Sequence, residues 1–370
     1  MKLIVFRDNL KNGLLSAERA VADSSNLPIL KNVLLRTIGT KIQLTTTNLE
    51  LAITKLISGK IVEEGSFSVP FATFYSIVNN TTHDRMSLER SETNFTVKTD
   101  NYEAKMQGAV AEDFPLIPRM EDILRYIEID PVVFQDALSQ VISAAHISDI
   151  RPEISGVFFD FQMTALKLVA TDSFRLAEKI IDGGKFKHTF DAGFRAIVPL
   201  RAAQELLRVI SRTAPLYVHY DGNQMLFRSD DIEIISRLID GIYPDYEQII
   251  PKDAETEVAI DKAHFMNAVK LVSNFSGKTN DVRLSTDVEG KTVTVHSVNQ
   301  FLGENKYLIP ARVTGASIEN IPFNWRYLLD GLKSLSSESV VLRLNGSNRP
   351  ALMRSADDLS FLYIVMPIRV

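Results

Sequence analysis

Apolar and polar positions alternate with period two in a segment that occurs three times along the chain. The copies are Lys41-Ile42-Gln43-Leu44-Thr45-Thr46-Thr47-Asn48, Ala165-Leu166-Lys167-Leu168-Val169-Ala170-Thr171-Asp172 and Thr292-Val293-Thr294-Val295-His296-Ser297-Val298-Asn299. Matching positions lie 124 and then 127 residues apart, through Ile42, Leu166 and Val293 and through Asn48, Asp172 and Asn299. Such alternation predicts a strand with one buried face, and the closing Asx residue can cap a turn. A second apolar run stands upstream of each copy, through Val33, Val157 and Leu284. Helical spacing repeats as well. Asp8, Asp130 and Asp261 each open an amphipathic stretch, where a carboxylate can accept from the free amides of a first turn. Behind them follow Leu10, Leu14, Ala17 and Val21, then Phe134, Ala137, Leu138 and Val141, then Phe265, Ala268, Val269 and Val272. A second helix per copy is predicted to carry Pro70, Pro199 or Pro322 in its first turn, which tolerates a missing amide. Six helices are thus predicted, over 8–21, 70–80, 130–145, 199–212, 261–275 and 322–335.

Phe114-Pro115 and Tyr243-Pro244 punctuate the ends of the first two copies. The chain therefore divides into three units, 1–122, 123–251 and 252–370. Each holds two helices among many short strands, an α+β arrangement rather than alternating βαβ. Repetition by itself is equally compatible with a scaffold that has no binding site.

Composition narrows the class. Of 370 residues, 45% are hydrophobic and 24% charged, which excludes wholesale disorder, collagen-like sequence and coiled coil. No apolar run approaches the ~20 residues that cross a bilayer, and the stretch before Arg7 is too short for a signal peptide. The absence of cysteine excludes a disulfide framework, a thiol nucleophile and thiolate metal sites, and fits the cytoplasm.

Catalytic and cofactor motifs are missing too. There is no G-x-G-x-x-G, H-E-x-x-H or G-x-S-x-G. Ser276-Gly277-Lys278-Thr279 mimics the end of a phosphate loop, but Val272 stands where its first glycine must be. The six histidines neither pair nor cluster, so no metal and no cofactor is expected. Nothing in the spacing of the carboxylates singles out a catalytic pair. An enzyme with an unrecognised carboxylate site is the remaining alternative to a non-enzymatic protein.

The net charge of −5 argues at first against nucleic acid. Its distribution reverses that. The predicted helices carry nine basic residues, Lys11, Arg19, Arg201, Arg208, Arg212, Lys262, Lys270, Arg326 and Lys333, against seven acids, so they net +2 and the rest −7. Arg201, Arg208 and Arg212 fall close to one helical stripe. A basic helical surface on an acidic body, repeated three times, fits phosphate contact without base reading.

Thr171-Asp172-Ser173-Phe174-Arg175-Leu176-Ala177 resembles a motif of the bacterial sliding clamps, the beta subunits of the replicative DNA polymerase. Leu27-Pro28-Ile29-Leu30-Lys31-Asn32-Val33, Asp113-Phe114-Pro115, Tyr243-Pro244-Asp245-Tyr246 and Val365-Met366-Pro367-Ile368-Arg369-Val370 resemble that family in the same order. The resemblance spans the whole chain. It implies three clamp domains, each with two helices backed by antiparallel sheets, and two chains closed head to tail into a ring around duplex DNA. The implied function is a processivity factor, sequence-independent on DNA, that tethers the replicative polymerase, the clamp loader and repair proteins through short peptides, with no membrane partner.

The resemblance also assigns residues. Ile154, Leu176, Pro244, Ile249, Val365, Met366 and Ile368 would form the apolar walls of a peptide pocket, with Thr171, Arg175 and the backbone near Pro367 fixing orientation and Phe174 alongside. Ser173 stands for the usual glycine and Gln248 for a common arginine, which shifts the expected peptide preference. Lys11, Arg19, Arg201, Arg208, Arg212, Lys262, Arg326 and Lys333 would face DNA, whereas the stretch 70–80 carries no charge where the family has arginine or lysine. Ala104 and Met106 of one chain would meet Lys270 and Leu271 of the other. Phenylalanine and isoleucine are common where Ala104 and Lys270 stand, so a more readily dissociating dimer is expected, partly offset if Glu103 or Glu112 pairs with Lys270.

Overall fold

Each alternating segment is a strand at the centre of an antiparallel trio. Lys41–Thr47 pairs with Asn32–Ile38 and Leu51–Ser58, Ala165–Thr171 with Gly156–Phe161 and Arg175–Asp182, and Thr292–Asn299 with Asp281–Thr286 and Gly303–Gly315. The computed structural model describes residues 1–22, 26–120, 122–287 and 289–369. The predicted Asx turns are formed in all three copies. Asn48 Oδ1 accepts the amides of Glu50 and Leu51 at 3.0 and 2.8 Å, and Asp172 Oδ1 those of Phe174 and Arg175 at 2.9 and 3.0 Å. Asn299 Oδ1 accepts those of Phe301 and Leu302 at 2.9 and 3.2 Å.

In the first two copies the preceding threonine closes the same turn, with Thr47 Oγ1 donating to the Leu51 carbonyl and Thr171 Oγ1 to that of Arg175. This geometry drives the second turn residue into the left-handed region, at φ 77° for Leu49 and 76° for Ser173. A side chain there costs about 1–2 kcal/mol, which glycine avoids at the expense of some unfolded-state entropy. Leu49 is about half exposed and has little packing to lose. The variant Leu49→Gly is therefore expected to be more stable by about 0.5–1 kcal/mol in urea denaturation. A midpoint unchanged or lowered would mean that the turn is not strained.

The six predicted helices form, with shorter bounds: α1 (Arg7–Ala17), α2 (Phe71–Asn80), α3 (Pro131–Ile142), α4 (Leu200–Val209), α5 (Lys262–Ser273) and α6 (Trp325–Ser334). Asp261 caps α5 as expected, accepting the His264 amide at 2.8 Å. Asp8 does not cap α1. It sits inside the first turn, one residue after Arg7, and the cap position is Phe6 without a side-chain bond. The prolines also differ from expectation. Pro70, Pro199 and Pro322 all lie in edge strands, Ser66–Pro70, Phe194–Pro199 and Ile321–Asn324, where a missing amide breaks no ladder. Their helices start one residue later in the first two copies and three later in α6, whose cap is Asn324. Arg19 and Arg212 consequently fall outside α1 and α4, Arg19 in the 3₁₀ turn Glu18–Ala20 and Arg212 in the bend beyond Val209.

Sheets run across the copy boundaries. Leu51–Ser58 of the first copy pairs with Ile232–Arg237 of the second, and Arg175–Asp182 of the second with Phe361–Val365 of the third. The result is sheets of five, nine and twelve strands. Two compact units follow from this pairing. Met1–Pro131, Phe186–Phe190 and Arg208–Leu238 hold the five- and nine-stranded sheets; Val132–Lys185, Asp191–Leu207 and the residues from Ile239 onward hold the twelve-stranded one. The middle copy thus contributes to both. In the third copy two strands are fused: Gly303–Gly315 pairs with Thr292–Asn299 through its first part and with Thr256–Asp261 through its last five residues.

In the first unit, α1 and α2 cover a core containing Leu10, Leu14, Val33, Phe67, Phe74 and Phe95. A Cβ on Gly13 would lie 2.6 Å from Ile57 and 2.8 Å from Leu44, so glycine lets α1 approach the sheet. In the second unit the core near the twelve-stranded sheet gathers Ile154, Phe158, Val169, Leu176, Tyr243, Tyr246, Leu352 and Leu362. Phe158 and Tyr243 stack there at 4.5 Å.

Candidate functional site

The residues assigned to a peptide pocket all fall in the second unit, around the end of strand Arg175–Asp182. Arg175 pairs with Val365, and just beyond the strands the Met366 amide donates to the Phe174 carbonyl at 2.8 Å. Two residues on, the Ile368 amide donates to the Pro322 carbonyl, also at 2.8 Å. The C-terminal tail is thereby tied at alternate residues to the second and third copies. Val370, the end of the tail motif, lies outside the described residues.

Burial separates the assigned residues into two sets. Ile154, Leu176, Val365, Pro367 and Thr171 are buried, Ile154 and Leu176 in one core cluster. Exposed apolar surface comes from Phe174 and Ile249, with Pro244, Met366 and Ile368 half-buried. Gln248 is exposed and donates to Asp245 at 2.7 Å. Together with Ile249 and Met366 it lines a groove of about 570 Å³ that continues over Pro251, Arg349 and Pro350. Ile150 and Ile242, both 91% exposed, are further apolar residues of this unit that spacing did not single out. Ile242 directly precedes Tyr243-Pro244, and an apolar residue beside a proline-marked linker was the available signal.

Arg175 is engaged within the protein. Its Nε contacts Asp172 Oδ2 at 2.9 Å, its Nη1 contacts Asp330 Oδ2 at 2.6 Å, and its guanidinium lies 4.4 Å from the Tyr327 ring centre. It positions the strand end. Ser173 keeps its left-handed backbone and accepts from Arg151 Nη1 at 3.1 Å. Nearby, burial and then the hydrogen bond to Glu178 push the Tyr246 phenol above its usual range.

The basic side chains expected on the helices divide similarly. Arg201 and Arg208 are exposed on α4, seven residues apart, and Leu200, Ala202, Ala203 and Leu206 form its buried side. Arg326 is exposed on α6 against the Trp325 ring, and Lys333 lies 3.7 Å from Asp330. Lys262 is the exception: its ammonium donates to the Leu335 carbonyl at 2.9 Å and is half-buried. Lys11 is half-buried on α1. The observed helices hold eight basic and four acidic residues, a net of +4 against the predicted +2, which leaves −9 elsewhere. The exposed face of α2, Ala72, Thr73, Ser76, Asn79 and Asn80, is neutral as the sequence requires.

Ala104 and Met106 lie on strand Glu103–Gln107, the edge of the five-stranded sheet. Lys270 and Leu271 lie on α5 in the other unit, both exposed. Glu103 pairs with Lys98 at 3.2 Å. Near Leu271 the Asn305 side chain donates to its carbonyl, and Val298, Phe301, Leu302 and Leu308 are all more than half exposed. Phe301 and Leu302 occupy the turn cognate to Leu49 and Glu50, a hairpin tip where apolar residues are unusual. Among the described residues no group of three or more side chains could hold a metal ion, and no helix is long and apolar enough to cross a membrane.

Three family models match the chain in order: the DNA polymerase III beta subunit N-terminal domain over residues 1–118, its central domain over 128–245 and its C-terminal domain over 247–369. The beta sliding clamp of Synechococcus elongatus is 28% identical, with all of both chains covered. A crystal structure of the Bacillus subtilis sliding clamp, at 24% identity, shares the fold with a TM-score of 0.95, covering 100% of this chain and 99% of that one. The Pseudomonas aeruginosa clamp bound to griselimycin is 25% identical with a TM-score of 0.94 over the full length of both. The alternative of an enzyme built on a carboxylate pair finds no support in these matches. With three repeated domains of paired helices and antiparallel sheets, the chain belongs to the DNA polymerase III beta subunit family, the bacterial sliding clamps.

Proposed function

We propose that two copies of this chain close into a ring on duplex DNA and hold the replicative polymerase there through a peptide seated beside the C-terminal tail. Family membership makes the chain a polymerase processivity factor. The single observation that carries the ring is the pattern of paired and unpaired strand edges. Two of the three copy junctions are stitched within one chain, and among the described residues the two edges that would make the third stay unpaired: Glu103–Gln107 and the first part of Gly303–Gly315. The repeat makes these edges cognate to the stitched ones. Gly303 faces Asn299 across its hairpin as Leu51 faces Asn48 and Arg175 faces Asp172, the third turn being one residue longer, so Gly303 corresponds to Leu51 and Arg175, and Met106 to Ser236 and Val365.

Leu51 pairs with Ser236, and Arg175 with Val365. The same rule pairs Met106 with Gly303 of the partner subunit, Lys105 with Glu304 of the partner subunit, and Glu103 with Lys306 of the partner subunit. Opposite charges then meet on the outer face. The exposed Leu271, Val298, Phe301, Leu302 and Leu308 stand beside this edge, the apolar surface that a second copy would cover. The three domains of such a ring would be 1–122, 123–251 and 252–370.

On this reading Arg201, Arg208 and Arg326 face the phosphates, with Lys11, Lys333 and the loop residues Arg19 and Arg212 adding charge. A topological link needs no tight contact, so weak and sequence-independent attraction suits sliding. Lys262 contributes least, because a carbonyl already holds it. Phe174, Ile249, Met366 and Ile368 provide the anchor surface for peptides of the polymerase, clamp loader and repair proteins, with Ile154, Leu176 and Val365 buried. The clamp works without cofactor or catalysis, in the cytoplasm.

The ring is tested by loading the protein on nicked circular DNA and cutting the circle. Retention on the circle and loss from the linear form is expected. Equal retention on both would show that contact rather than closure holds the protein.

A further inference from the structure

The first unit contains a groove of about 570 Å³, lined by the outer face of the nine-stranded sheet and by residues of the stretch 111–120 with Ile123. We infer that this groove is a second peptide-binding site, selective for an acidic segment carrying a bulky apolar anchor. The repeat makes it the counterpart of a place that is packed solid in the second unit. There Phe158, Tyr243, Tyr246 and Leu362 belong to one buried cluster, and Tyr246 donates to Glu178 at 2.6 Å. At the matching positions stand Leu34, Phe114, Ile117 and Glu233, with Thr54 in place of Glu178. Each aromatic ring but one has become aliphatic, and the hydrogen-bonded tyrosine is gone. The space left is within the range of ligand pockets.

Its lining indicates what fills it. Leu34, Phe114, Ile117, Leu226 and Ile235 make an apolar floor. Leu116 and Ile123, 96% and 49% exposed, stand at the rim. Three arginines line the same groove. Arg228 lies 3.6 Å from Glu233, but Arg36 and Arg119 are exposed and have no ion-pair or hydrogen-bond partner among the described residues. Two unpaired guanidinium groups over an apolar floor match a carboxylate-bearing segment with a leucine or phenylalanine anchor. This reading stands on the groove and its arginines, not on the pocket beside the tail.

The test uses the full chain and a fluorescein-labelled synthetic decapeptide that alternates glutamate with leucine and ends in phenylalanine. Anisotropy titrations are made in an Ile249→Asp background, so that the groove beside the tail does not contribute. Binding should persist there, and weaken at least about tenfold when Arg36→Glu and Arg119→Glu are added. The pair Ile117→Tyr and Thr54→Glu rebuilds the filled counterpart and should abolish binding while the urea midpoint holds or rises. Loss of all binding in the Ile249→Asp background overturns the proposal, as does a lysine-for-glutamate peptide binding equally well. Binding unaffected by the arginine changes or by the filled groove overturns it too, and displacement by duplex DNA at equal charge would reassign the groove to phosphates. Whether the site at Ile249 takes peptide is read separately, from the excess binding of the unaltered chain over that background.

Discussion

Reversing one charge on the free strand, Lys105→Glu, is expected to weaken the dimer about 30-fold, and adding Glu304→Lys to the same chain should restore it. The figure follows from the proposed register. Lys105 faces Glu304 of the partner subunit, so reversal removes one attraction and creates one repulsion across adjacent strands. Cross-strand charge pairs are worth about 0.2–1 kcal/mol each, so the change is about 1 kcal/mol per interface. A closed two-membered ring contains the interface twice, giving about 2 kcal/mol, or roughly 30-fold in the dissociation constant. A dilution series in the analytical ultracentrifuge reads both variants. Register is what the cycle tests: a shift by one residue would bring Lys105 opposite Gly303 or Asn305 of the partner subunit, and Glu304→Lys could not rescue it. Failure of rescue, or no weakening in the single variant, would refute the pairing while leaving dimerisation itself open.

Much of this fold is legible where the physics is local. The Asx turns at Asn48, Asp172 and Asn299 depend on a side chain and the amides two and three residues on, so spacing alone locates them. The buried helix stripes are similarly local, because period and burial coincide. Pro322 misled for a physical reason. A missing amide is equally harmless in a first helical turn and on an edge strand, and the residue itself does not distinguish them.

What stayed hidden depends on distant partners. Nothing near Leu51 announces Ile232–Arg237 as its neighbour, and nothing near Arg175 announces Asp330, 155 positions away. The same holds for the sites. Family motifs locate Phe174 and Met366, but only the fold shows that Leu176 and Val365 are buried rather than accessible. The groove over Leu34 is a difference between two copies of one design, visible only once both are built.

The second large effect is expected at Arg175. Its side chain is 10% exposed and holds Asp172, itself 8% exposed, and Asp330 in two short ion pairs. Burial alone would lower its pKa; Tyr363, Asp330 and Asp172 around it outweigh that and keep the guanidinium charged. Asp172 would keep its two backbone amides and Asp330, 31% exposed, would keep Lys333, so losing the charged hydrogen bonds of Arg175 costs about 1.5–3 kcal/mol. Arg175→Ala should lose that much in urea denaturation. The fluorescence of Trp325, the chain's one tryptophan, reports it directly, since it stands at the start of the helix that carries Asp330. Arg175→Lys should recover only part, because a single ammonium cannot hold two carboxylates in a fork and also lie flat over Tyr327. A loss below about 1 kcal/mol would place these pairs with ordinary surface bridges. Peptide capture should then fall only in proportion to the chain unfolded, because Arg175 reaches the pocket through its backbone: its carbonyl accepts from Thr171, and its strand position pairs with Val365 at the root of the tail.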